Sequence, residues 1–202
     1  MRALELKEAS GGKVSIVSVG GPDYDAIIRK ALAIGADEAF RIDAQAMDSM
    51  QCAKEIADFV KDKNYDLILC GKETIDYNGS NVGGMIAAIL DLPFVSNASK
   101  LDMSGNEATI SRDKQGGTEV LTVSSPAVIS CAKGMAEQRI PNMRGIMAAR
   151  SKPLNVVPSN GAEATTEIAS FSLPPEKGDV KLIDPENAAD LINLLHTEAK
   201  VI

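Results

Sequence analysis

Tryptophan is absent from the 202 residues, and only three tyrosines and four phenylalanines supply aromatic rings. A surface that grips single-stranded nucleic acid stacks bases on such rings, so this poverty argues against one. A basic excess is missing as well. Lys and Arg number 21 against 28 Asp and Glu, for a formal net charge of −7. That excludes general binding to a phosphate backbone, which wants a positive footprint. No apolar run approaches the roughly 20 residues of a membrane helix. His196 is the one histidine, inside the amphipathic pattern LINLLHTEAK, and no Ser–His–Asp spacing accompanies it. Cys52, Cys70 and Cys131 are odd in number, far apart and without a CxxC pair. Neither a disulfide framework nor a zinc site follows from them, and their apolar surroundings suit small core residues. With no paired carboxylates and no metal cluster either, the expectation is a protein that is not an enzyme and holds no metal. The opening MRALELKEASGG has neither the apolar core of a signal peptide nor an Arg- and Ser-rich transit composition. A reducing, cytoplasmic setting in a bacterium is expected.

What is present reads as an α/β protein. Apolar residues make up 45% and charged residues 24%, which suits an ordinary globular core. ALELKE looks like the end of a helix stopped by Gly11 and Gly12. KVSIVSV is a β-branched strand over 13–19, and Pro22 opens a helix that Gly35 stops. A strand at 38–43, a helix from 49, the buried strand YDLILCG at 65–71 and a helix over about 80–90 continue the alternation. FVSN at 94–97 reads as a short strand. Such a β-α-β order implies a parallel sheet with right-handed crossovers and flanking helices. An antiparallel hairpin region follows, with turns at 104–106 and at Gly116-Gly117, and PAVISC at 126–131 returns to the main sheet. We expect an α/β domain over 1–152. Residues 153–202 are expected to form an extended C-terminal arm with a terminal helix, N-capped by Asp184 ahead of Pro185.

Two segments carry chemistry. In LCGKETIDYNGSNVGGM a buried strand ends at Gly71, a loop follows, and Gly79-Ser80-Asn81-Val82 opens a helix. Open parallel sheets bind ligands beyond the carboxyl ends of their strands, and a helix start presents unpaired N–H groups to an anion. Asp76 is an acid of that loop, suited to holding it through backbone N–H bonds. A phosphate cradle and a plain glycine turn with an N-cap both fit the spacing. Gly-Lys-Ser/Thr does not follow, so this is no Walker loop, and VGGPDY at 19–24 lacks the serines of a pyrophosphatase SGGxDS loop. The second segment, RIPNMRGIMAARSK at 139–152, carries four basic residues and no acid. Arg139 and Arg144 around Met143 and Ile146 suit an adaptable docking surface. A helix that packs Met143, Ile146 and Met147 on the core suits the same spacing.

With these residues in place, the chain resembles the β subunit family of electron transfer flavoproteins. The resemblance runs through VSVGGP, RKALAIGADEA, YDLILCGKETIDYNGSNVGG, PAVIS and RIPNMRGIMAARSKPLNVV, and covers nearly the whole chain. It implies an adenine-nucleotide-binding, Rossmann-like α/β fold and a heterodimer with an α subunit that holds most of the redox FAD, while the β subunit binds AMP structurally or, in bifurcating relatives, a second FAD. It implies that Gly79, Ser80, Asn81 and Val82 hold the phosphate, with Gly71 and Asp76 in the same motif and Val19 near the adenosine. RIPNMRGIM corresponds to the loop that docks on acyl-CoA or other flavin dehydrogenases, with Met143 as its apolar anchor. Electrons would pass to a respiratory or quinone-linked acceptor, as in fatty acid oxidation. The family pattern begins with a strand and a loop ahead of the ALELKE-type helix, so the domain is expected to be N-terminally incomplete. Asn81 stands where Gln is frequent, Val82 where some members carry Thr, and Ala148 at the position methylated as lysine in mitochondrial relatives. The alternative is a stand-alone adenine-nucleotide sensor of the universal-stress-protein kind.

Overall fold

The structure, a computed structural model, describes residues 1–202 except position 76. Helix α1 (Arg2–Ser10) ends at Gly11, whose φ of 82° is one that glycine adopts at little cost. Then come β1 (Ser15–Val19), a 3-10 turn at Pro22–Tyr24, α2 (Asp25–Ile34) and β2 (Glu38–Asp43). Helix α3 (Ser49–Val60), β3 (Leu67–Gly71) and α4 (Val82–Leu90) continue the alternation. The long strand β4 (Phe94–Ser104), β5 (Glu107–Lys114), β6 (Gly117–Ser124) and β7 (Ala127–Cys131) precede α5 (Met143–Ala149) and β8 (Leu154–Pro158).

These strands form two sheets. One has the order β1-β2-β8, all parallel, and the other the order β3-β7-β4-β5-β6. In the second, β3, β7 and β4 run parallel, while β4, β5 and β6 form the expected antiparallel meander. FVSN is not a separate short strand. It is the first part of β4, whose register shifts between Ala98 and Lys100 where the parallel pairing gives way to the antiparallel one.

The compact unit runs from Met1 to Glu167, past the expected boundary at 152. Leu154–Pro158 is a strand rather than the start of an arm, because it pairs in parallel with β2 from Ala39↔Leu154 to Asp43↔Pro158. Beyond it, buried Glu55 accepts from Ser159 Oγ at 2.5 Å and from Asn160 N at 3.0 Å. The core has three patches. Leu101, Ile110 and Ile129 pack in the meander sheet, Ile28 and Leu32 beneath α2, and Ile86, Ala53 and Val128 between α3, α4 and the sheet. Burying each such Leu or Ile contributes about 1.5–3 kcal/mol. The second unit, Ile168–Ile202, carries the terminal helix α6 (Ala188–Thr197). Asp184 caps the preceding turn by accepting from Glu186 N at 2.9 Å, with Pro185 in the first position as the sequence predicts.

Candidate functional site

Strand β3 ends at Gly71, and the chain leaves it into an exposed loop that returns at Ser80. The Ser80 hydroxyl donates to the Lys72 carbonyl at 2.7 Å, closing the loop onto the strand end. The Asn78 amide donates to the Thr74 carbonyl at 2.9 Å. Asn78 and Ser80 are both left-handed, with φ of 49° and 54°. Right-handed Asn81 follows, the N-cap of α4. Such alternation turns successive amides toward one concave side, an anion-binding arrangement.

Helix α4 starts there without a side-chain cap and with no acid in its first turn. Among the described residues, no protein acceptor takes the amides of Asn81, Val82 or Gly83. Among the described residues, the positive end of the helix dipole is therefore uncompensated. Close packing fixes it in place: a β-carbon on Gly83 would lie 3.1 Å from the Phe94 ring and 3.6 Å from Cys70 Cβ. Gly79 differs, since a β-carbon there meets only Asn81 Nδ2 at 3.5 Å. Among the described residues no protein atom demands glycine at 79, whereas a close-lying oxygen ligand would.

Gly71, Gly79, Ser80, Asn81 and Val82 all line one cavity of about 480 Å³, within the range of small-molecule sites. The structure thus brings together the phosphate-loop residues that the sequence singled out. Val19, at the end of β1 opposite Ile42, does not line it. Asp76 lies outside the described residues. Sequence reasoning missed the rest of the wall: Lys72, Thr74 and Tyr77 from the loop, and Cys52 and Ile56 from α3. Only the adjacency of Lys72 to Gly71 signalled any of these. Burial pushes the Cys70 thiol up to about 11, aided by nearby Cys131 and Cys52, and also raises Cys52. Both stay protonated at neutral pH and offer no nucleophile. Among the described residues no cluster of His, Cys, Asp and Glu suits a metal.

The similar-looking loop at 20–24 is closed. Tyr24 lies over Gly20, and the Gly20 carbonyl accepts from Arg41 Nη1 at 2.9 Å. Arg41 is only 4% exposed and also holds Asp25 at 2.8 Å and Asp43 at 2.6 Å.

A family model described as the electron transfer flavoprotein domain matches residues 1–161. The chain belongs to that family. It is 34% identical to the electron transfer flavoprotein subunit beta of Bacillus subtilis, over 99% of this chain and 83% of that one. Against the subunit beta of Syntrophomonas wolfei the identity is 40%, over 93% and 76% of the two chains. Against that of Sus scrofa it is 30%, over 98% and 81%. The resemblance read from the sequence motifs is therefore right, and so is the mixed α/β architecture with a parallel sheet.

Residues Met143–Ala149 of the basic segment form α5. Asn142 caps it, accepting from Gly145 N at 2.8 Å. Its buried residue is Ala149, while Met143 and Met147 are 74% and 57% exposed and Ile140 and Ile146 are exposed too. Packing of Met143, Ile146 and Met147 on the core is thereby ruled out. Arg144 is exposed, but Arg139 is engaged: it makes a two-pronged pair with Glu8 of α1 at 2.5 and 2.8 Å. The guanidinium holds the Glu8 carboxyl below its usual range.

Proposed function

We propose that this chain is the non-catalytic β subunit of a heterodimeric electron carrier, binding an adenine nucleotide in the cavity beyond β3. The observation that carries the reading is the uncapped start of α4, whose amides open on a cavity in a chain of the electron transfer flavoprotein family. The amides of Gly79, Ser80, Asn81 and Val82 hold the phosphate of AMP, or of a second FAD, through charge-assisted hydrogen bonds. Gly71 lets the loop approach, and Val19, at the end of β1 and outside the lining of that cavity, is the residue we assign to the adenosine edge. Binding to the native state alone stabilises the subunit. No bond is made or broken on this chain.

The redox FAD resides chiefly in an α subunit. Met143 and Ile146, with Arg139 and Arg144 beside them, form the surface on which acyl-CoA or other flavin dehydrogenases dock. The electrons then go to a respiratory or quinone-linked acceptor in the cytoplasm of a bacterium. No helix among the described residues is long and apolar enough to cross a membrane. The family match favours this reading over a stand-alone nucleotide sensor. Co-expression with an α-subunit chain tests it. A stable heterodimer is expected, with flavin that a dehydrogenase reduces. A chain that purifies alone, binds ATP and never retains a flavoprotein partner would overturn it.

A further inference from the structure

Two of the asparagines are followed by glycine: Asn78-Gly79 in the loop after β3, and Asn160-Gly161 just beyond β8. An asparagine so placed can lose its side-chain amide without an enzyme. The main-chain nitrogen of the next residue attacks Cγ, and a following glycine leaves that approach open because it has no β-carbon. All four residues are exposed. Neither glycine is crowded. A β-carbon at 161 would meet nothing within 4 Å, and one at 79 only Asn81 Nδ2 at 3.5 Å. Sequence and solvent access therefore give no preference between the two pairs.

Hydrogen bonding separates them. The Asn160 carboxamide is pinned at both ends: Oδ1 accepts from Ala162 N at 2.8 Å, and Nδ2 donates to the Lys54 carbonyl at 3.4 Å. The Asn160 amide donates to buried Glu55 at 3.0 Å. The nitrogen that would attack, Gly161 N, donates to Ser159 Oγ at 3.0 Å. An amide proton held by an acceptor is harder to remove, and a pinned carboxamide cannot turn toward the attacking nitrogen. At the other pair, among the described residues, neither the Asn78 side chain nor the Gly79 amide has a partner. There the bond from Asn78 N to the Thr74 carbonyl at 2.9 Å steadies the main chain and leaves both reacting groups free.

We propose that Asn78 is a self-modification site, converted through attack by Gly79 N into aspartate and isoaspartate, and that an anion held on the Gly79 amide blocks the conversion. The Gly79 nitrogen bonds to Asn78 Cγ, the Cγ–Nδ2 bond breaks, and the amine leaves as ammonia with the proton from the Gly79 amide. Water then opens the cyclic imide. Opening at Cγ gives aspartate. Opening at the main-chain carbonyl gives isoaspartate, which lengthens the main chain by one carbon. One water is consumed and one ammonia released, with no oxidation. Either product sets a new negative charge beside Gly79, which repels a phosphate. Conversion thus ages the loop from one that binds an anion to one that does not. The modification site stands on its own, and only the block by an anion rests on the nucleotide reading above.

The test ages the full chain in mildly alkaline buffer, with and without AMP. Ammonia release, peptide mass spectra, isoaspartate content and AMP binding by dialysis are followed together. Conversion at Asn78 is expected to run at least about tenfold faster than at Asn160, whose hydrogen bonds must open first. In urea the two are expected to react alike. Asn78→Gln, whose carboxamide lies one carbon farther from the attacking nitrogen, is expected to remove the ammonia that the folded chain releases. AMP at about tenfold above its dissociation constant is expected to slow Asn78 about tenfold, in line with the unliganded fraction. Conversion at Asn160 as fast as at Asn78 in the folded chain, or no conversion at Asn78, would overturn the site. AMP that binds yet leaves the rate unchanged would overturn the block while the nucleotide reading stands. If AMP does not bind, that reading and the block fail together, and the rates without nucleotide still decide the site.

Discussion

Gly145 of α5 lies against the carbonyl oxygen of Ala33 in α2, so close that a β-carbon at 145 would collide with that oxygen. The side of α5 that meets the body of the protein is thus made of small residues, Gly145 and Ala149, one turn apart. Cations stitch the same junction: Arg29 Nη1 donates to the carbonyls of Ala149 and Lys152, and Lys152 Nζ to those of Leu32 and Ala36.

Gly145→Ala is therefore expected to destabilise the protein despite the better helix propensity of alanine. The clashing atom is backbone and cannot swing aside, so the loss is about 1–3 kcal/mol, as for overpacked cores. Urea unfolding checks this, with Ala148→Lys, on the exposed side of α5, as the neutral comparison.

The exposed side of α5 carries a second expectation. Met143→Ala removes a side chain that is 74% exposed, so the unfolding midpoint and flavin content stay as they were. Electron uptake from a partner dehydrogenase slows, because a central apolar anchor costs about 2 kcal/mol or more of binding when truncated. Stopped-flow flavin reduction measures it. An unchanged rate would remove α5 from the docking surface. Raising the salt is expected to slow the encounter through Arg144.

Asp48 gives a pH dependence. Its carboxylate caps α3 through Gln51 N and also accepts from the amides and hydroxyls of Thr165 and Thr166. These bonds hold the carboxyl well below its ordinary value. A depressed folded-state value means that the contribution is complete above the unfolded carboxylate range, at about pH 4. It is then lost as the pH falls below that range toward the folded value. The Thr165 and Thr166 amides are expected to exchange slowly near neutrality and to lose protection in acid. In Asp48→Asn they are expected to be weakly protected at every pH.

Much of this was legible in the chain. The strand–loop–helix at 65–90 and the hairpin turns follow from glycine placement and β-branched runs. Strand β8 was not, because Leu154–Pro158 is bracketed by Pro153 and Pro158 and includes a polar residue, which reads as extended arm. The orientation of α5 also escaped. Methionine and isoleucine at helical spacing point to a core face, whereas here close backbone approach makes glycine and alanine the buried side. Arg41 and Glu55 are buried charges whose partners come from separate segments, and no local pattern announces them.

The central claim is that the uncapped amides at the start of α4 cradle an anionic nucleotide. Asn81→Asp tests it, since aspartate is as good an N-cap as asparagine and suits the helix dipole. The nucleotide-free chain therefore keeps its stability, while a carboxylate now stands in the cradle. The decisive measurement is the nucleotide released by acid from the purified heterodimer, separated by chromatography. The account predicts one AMP or one additional FAD per wild-type heterodimer beyond the redox FAD, and a large loss in Asn81→Asp. A wild-type heterodimer carrying only its redox FAD, or equal nucleotide content in the two proteins, would contradict it.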